Sequence, residues 1–125
     1  MDSGFKVINR EQSARSRQHR GVLTQVICEF ESLEVLRIEM ESGSICDSQE
    51  FGDFAVVHVV IDGTPAFSTA ERSADLMPGD SIVFSINALY AITNRAPARA
   101  VILSVLFKPG ATELPASLFP PGMKG

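Results

Sequence analysis

Two side chains in this sequence can move protons from within apolar surroundings: His58 in "VVHVV" and Tyr90 in "LYAIT". A histidine and a tyrosine facing one cavity can act as base and acid. Desolvation would keep such an imidazole neutral and ready to accept a proton. The blander account is equally physical. A histidine inside an apolar strand is often a core residue with both nitrogens satisfied, and a tyrosine a packed ring with its hydroxyl bonded. The sequence leaves both open. Ser85, His58 and Asp80 can be written down as a nucleophilic triad, but no spacing supports it, since triads are recognised by geometry. Cys28 and Cys46 stand in no C-x-x-C or zinc spacing and read as reduced, small apolar residues. "NREQSARSRQHRG" gathers Arg10, Arg15, Arg17, His19 and Arg20. It is either a solvated arm or an anion contact for a ligand or partner.

The elements that must hold these groups are strands. "LEVLRIEME" alternates with period two: Leu36, Ile38 and Met40 point one way, Val35, Arg37, Glu39 and Glu41 the other. "GVLTQVICEF" alternates and is rich in β-branched residues. "FAVVHVVID" and "RAVILSVLF" are nearly continuous in apolar residues, the pattern of strands covered on both faces. "ESGS", "DGTP" and "PGD" are turns. "PAFSTAERSADLM" reads as short strands around a polar hairpin, "SIVFSI" as a strand, and "LYAITNRAPA" as a strand running into a loop. The alternating glutamates of "EFESLEVLRIEME" look like a wet face. No segment has a convincing helical period. Many short strands with frequent turns predict a β-sandwich or barrel.

The chain has 125 residues, the size of one domain able to bury a core without staples. With 21% charged and 45% hydrophobic residues it is a globular rather than a disordered chain. A net charge of −4 disfavours general nucleic-acid binding, which needs clustered cations. The first residues hold no apolar stretch of signal-peptide length, and no run reaches a membrane span. The expectation is a cytoplasmic protein with no nucleic-acid or membrane partner.

The spacing of the glycines and of the polar loop residues resembles the cupins, small double-sheet β-barrels of the jelly-roll kind. Their first motif places a glycine, two histidines, a glutamate and a second glycine. Here Gly43 opens, Gln49 and Phe51 stand at the histidine positions, Val56 at the glutamate position, and Gly63 closes. Their second motif places a glycine, proline, glycine, histidine and asparagine. Here the series is Gly79, Ser85, Asn87, Tyr90 and Asn94. The resemblance covers roughly residues 30–108. It implies an all-β, single-domain jelly roll spanning 1–125, with an N-terminal arm over 1–20 and an apolar Pro/Gly-rich tail over 109–125. Leu114, Leu118 and Phe119 of that tail could dock on the body or on a neighbour.

All four metal-ligand positions of the resemblance are changed. Glutamine offers a weak neutral oxygen, phenylalanine and valine offer nothing, and a neutral tyrosine is a poor ligand alone. No metal and no cofactor are therefore expected. Val56 takes an inward family position, so alternation turns His58 and Val60 inward as well, and Val57, Val59 and Ile61 outward. Gln49, Phe51, Val56, His58 and Tyr90 are then expected to line a mostly apolar pocket for a small molecule. Asn87, Asn94, Asp62 and Asp80 read as turn residues. Three functions follow. The first is a metal-free module binding a small, partly apolar molecule. The second, implied by resemblance to metal-independent cupin sugar epimerases and isomerases, is an enzyme using His58 and Tyr90. The third is a structural homodimer without a catalytic site.

Overall fold

The computed structural model describes residue 4, residues 6–9 and residues 15–108. Arg10 and the tail residues Leu114, Leu118 and Phe119 lie outside the described residues. Among the described residues ten strands follow one another: β1 Arg15–His19, β2 Val22–Glu29, β3 Leu33–Met40, β4 Ile45–Asp47, β5 Ala55–Asp62, β6 Ala66–Ser68, β7 Ser73–Asp75, β8 Ser81–Phe84, β9 Ala91–Thr93 and β10 Ala100–Phe107. They form two antiparallel sheets, one in the order β1-β2-β3-β10-β5-β8 and one in the order β4-β9-β6-β7. This is the all-β jelly roll that the strand pattern and the glycine spacing predict.

The inner faces supply one core. On β3, Leu36, Ile38 and Met40 are buried; on β5, Val56, His58 and Val60; on β10, Ile102, Ser104 and Leu106. Burying such aliphatic side chains contributes roughly 1.5–3 kcal/mol each, before conformational entropy is set against it. The outer positions of β5 and β10 differ from the expectation that both faces are covered. Val57, Val59, Leu103 and Val105 are only half-buried and Ile61 is exposed.

Segment 15–20 also differs from the expected arm. Arg15–His19 is a fully exposed edge strand in register with β2, from Arg15 opposite Val26 to His19 opposite Val22. Arg20 and Gly21, both at positive φ, make the turn. The barrel therefore begins well before residue 30.

Gly63 shows why the turn glycines persist. It has φ +80°, and a Cβ there would lie 2.7 Å from the Arg99 carbonyl oxygen. Asn87 serves its turn through a left-handed φ of 67°. Asp80 caps its own turn, its carboxylate accepting from the Met77 amide at 2.9 Å. Asn94 does more than turn. Fully buried, it donates from Nδ2 to the Met40 and Ala98 carbonyls, both at 2.9 Å. That tie fastens the end of β3 to the loop before β10. Among the described residues no helix is long and apolar enough to cross a membrane.

Candidate functional site

His58 stands at the centre of the molecule and is completely buried. Alternation on β5 turns it inward, and the β5–β10 register places Ser104 directly opposite. Its Nδ1 lies 2.7 Å from the Ser104 hydroxyl, and its Nε2 lies 2.8 Å from the Tyr90 hydroxyl. Tyr90 sits just before β9, so this chain of hydrogen bonds joins the two sheets. It is held on the β4 side as well: the Tyr90 amide donates to the Ser48 hydroxyl at 3.2 Å, and the Ser48 amide donates to the Tyr90 carbonyl at 2.9 Å.

Aromatic rings close around the imidazole. Phe84 stacks on Tyr90 with centroids 3.6 Å apart, and Phe51 lies parallel on Tyr90 at 6.1 Å. His58 meets Phe51 edge-on at 4.9 Å and lies 5.4 Å from Phe67. Such contacts favour the quadrupoles, and they leave the imidazole fully buried. Burial alone lowers the His58 pKa to about 3. Burial raises that of Tyr90 and pushes the Cys46 thiol up to about 12. All three groups are neutral at physiological pH.

The sequence-predicted site residues therefore separate. Phe51, Val56, His58 and Tyr90 do come together in the buried core, and of these Phe51 also reaches an open groove. Gln49 does not join them. A single 3-10 turn, Ser48–Phe51, interrupts the period of two and leaves Gln49 exposed, its amide donating to the Asp47 carboxylate at 2.9 Å. The Ser85–His58–Asp80 triad does not form: Ser85 and Asp80 are exposed, and the imidazole is bonded to Ser104 and Tyr90.

These groups do not fit a cation. Both imidazole nitrogens are engaged, and Phe51 and Val56 carry no donor atom. Among the described residues no cluster of three His, Cys, Asp or Glu side chains could hold a metal ion.

An open groove of about 490 Å³ lies at one end of the barrel, against β1, β2, β3 and the 3-10 turn. Its floor is apolar: Val26, Leu36, Phe51, Phe54 and Leu106. Its rim is polar, with Arg15, Arg17, Glu34, Gln49 and Glu50. Arg17 pairs with Glu50. Arg15 lies 3.4 Å from Glu34 and 3.7 Å from Glu29. Burial raises the Glu34 pKa, and a hydrogen bond with Glu29 adds to it. The opposite direction holds for Glu29, chiefly through its bond from Lys108. An apolar floor rimmed by guanidinium and carboxylate groups suits a small molecule with an apolar body and a polar end.

Sequence reasoning missed Ser104 and Glu34. The signal for Glu34 was present, since it shares the parity of Leu36, Ile38 and Met40 and so must point inward. Ser104 was equally readable as the one polar group at the inward parity of β10.

No family model and no curated protein matches the sequence. Solved structures do match its fold. A cupin 2 conserved barrel domain protein from Salinispora arenicola superposes with a TM-score of 0.71 at 10% identity, over 86% of this chain and 92% of that one. The polyketide cyclase RemF from Streptomyces resistomycificus gives 0.69 at 11% identity, over 82% and 79%. The cupin domain of an XRE-family transcriptional regulator from Enterobacter cloacae gives 0.63 at 17% identity, over 71% and 98%. The chain has the cupin fold, and at these identities the likeness speaks for the fold alone.

Proposed function

We propose that this cupin-fold chain is a metal-free module that binds a small, partly apolar molecule in the groove at the end of the barrel. The observation that carries the reading is the groove itself: about 490 Å³ of open space over Val26, Leu36, Phe51, Phe54 and Leu106, with Arg15 and Arg17 at the rim. Its size falls within the usual range for small-ligand sites. The His58–Tyr90 pair lies behind this floor and supports it. As base and acid the pair has no face open to a substrate, because His58 is fully buried and both its nitrogens are bonded. Free thiols at Cys28 and Cys46 support an assignment to the reducing cytoplasm.

Thermal-shift screening across small organic acids, alcohols and amphiphiles tests the reading. A ligand present at about a hundred times its Kd adds about 2.7 kcal/mol, a rise in Tm of several degrees. Thr24 of β2 also lines the groove, so a Thr24→Trp variant fills it and should lose that rise while keeping its own fold. Absence of any stabilising compound, or a shift that survives Thr24→Trp, overturns the assignment.

A further inference from the structure

Resting on the groove as the ligand site, we propose that its ligand is a small carboxylate with an apolar body, and that this anion takes Arg15 from Glu34. Arg15 and Arg17 stand on the groove rim. Arg17 has Glu50 as its partner. Arg15 is held more loosely. It donates to Glu34 at 3.4 Å and lies 3.7 Å from Glu29, against about 2.7–2.9 Å for a close charge-assisted bond. Glu29 has a nearer cation, because Lys108 donates to it at 2.8 Å. Arg15 is therefore the rim guanidinium able to turn its planar fork to a carboxylate. The apolar body would then lie on the floor that Leu36, Phe54 and Leu106 build.

Glu34 is the group that answers this exchange. Its side chain is only 12% exposed, and the β2–β3 register sets it opposite Glu29. Arg15 of β1, Glu29 of β2 and Lys108 after β10 are the charges that face it. On β10 itself its neighbour is the apolar Leu106. Burial and the hydrogen bond with Glu29 already favour its neutral form. Losing Arg15 and gaining a second anion push it the same way, so Glu34 takes a proton from solvent as the ligand binds. The rim then carries a surplus positive charge: Arg15 and Arg17 stand against Glu50, while Glu29 and Lys108 cancel. A monoanion fits that surplus, whereas a cationic ligand would meet a like charge. The bound state holds more protons than the free one. Affinity for the anion therefore rises as pH falls, until the ligand's own carboxyl protonates near about pH 4–5.

Isothermal titration calorimetry with octanoate, in two buffers of different ionisation enthalpy, reads affinity and proton uptake together. From about pH 8 to about pH 6 the Kd should fall by about threefold or more, with net proton uptake. Arg15→Gln should weaken octanoate about fivefold, the range of an exposed ion pair, and change octan-1-ol by less than about twofold. Glu34→Gln should bind octanoate more tightly than the parent at about pH 8 and lose the pH dependence. If that variant does not fold, proton uptake by the parent decides alone. Octanoate binding that Thr24→Trp abolishes but Arg15→Gln leaves intact, or that takes up no proton, overturns the carboxylate assignment and keeps the groove. The same holds if octan-1-ol binds there and octanoate does not. Binding that survives Thr24→Trp lies outside the groove and overturns both readings. If neither probe binds at millimolar concentration, the carboxylate assignment falls.

Discussion

At the scale of single residues, His58 trades chemistry for cohesion. An imidazole with both nitrogens bonded to hydroxyls and four rings around it gains two buried hydrogen bonds, each worth about 1 kcal/mol net. Removing it leaves a cavity and two orphaned hydroxyls. His58→Ala should therefore cost about 3 kcal/mol or more in denaturant unfolding. The pH dependence follows from the same burial. The folded-state pKa is about 3, against about 6.5 in the unfolded chain. Between these values the unfolded state binds the extra proton, so stability is full above about pH 6.5 and falls as pH drops through this window. At pH 5 the loss from this one group is about 2 kcal/mol. A His58→Gln variant should lack that slope over pH 5–7, whatever its absolute stability. An equal slope in both proteins would place the titration elsewhere. The inward direction of His58 was legible from alternation on its strand. That it would pair with Ser104 was not, because a serine in "AVILSVLF" announces a need for a hydrogen bond without naming who meets it.

At the scale of elements, turns and parity explain both what the sequence made legible and what it hid. Gly63 is fixed twice over, by its positive φ and by the backbone against which a side chain would press. Gly63→Ala should cost about 2 kcal/mol or more, a fall in Tm on the order of 5–10 °C. Gly43 also has positive φ, but open space surrounds its Cβ position. Gly43→Ala should therefore cost less than Gly63→Ala in the same melting series. Equal costs would show that φ alone decides. Strands of unbroken period, β3 and β5, could be read with the correct inner face. Where the period breaks, reading failed. The 3-10 turn after β4 carries Gln49 out of the interior. Glu34 looked like one more wet glutamate until its parity with Leu36 put it on the groove rim. The edge strand β1 was hidden because every residue in it is exposed, so no apolar alternation marks it.

At the scale of the whole molecule, the barrel keeps the turns of its fold while its centre is packed shut by a hydrogen-bonded imidazole and aromatic rings. Among the described residues an open groove lies at the end of the barrel, where the apolar inner faces of β2, β3 and β10 meet the 3-10 turn. Charge there is balanced between arginines and glutamates, and exposed pairs of this sort contribute little to stability. Arg15→Ala should accordingly change folding by less than about 1 kcal/mol while weakening ligand binding; a large loss of stability instead would make Arg15 a structural residue. Methyl chemical-shift mapping during titration with a compound that stabilises the protein locates the bound molecule. Binding in the groove should shift the methyl groups of Val26, Leu36 and Leu106 on its floor, with Val60 and Ile92 unmoved. Shifts centred on Val56, Val60 and Ile92, with the groove silent, would contradict it.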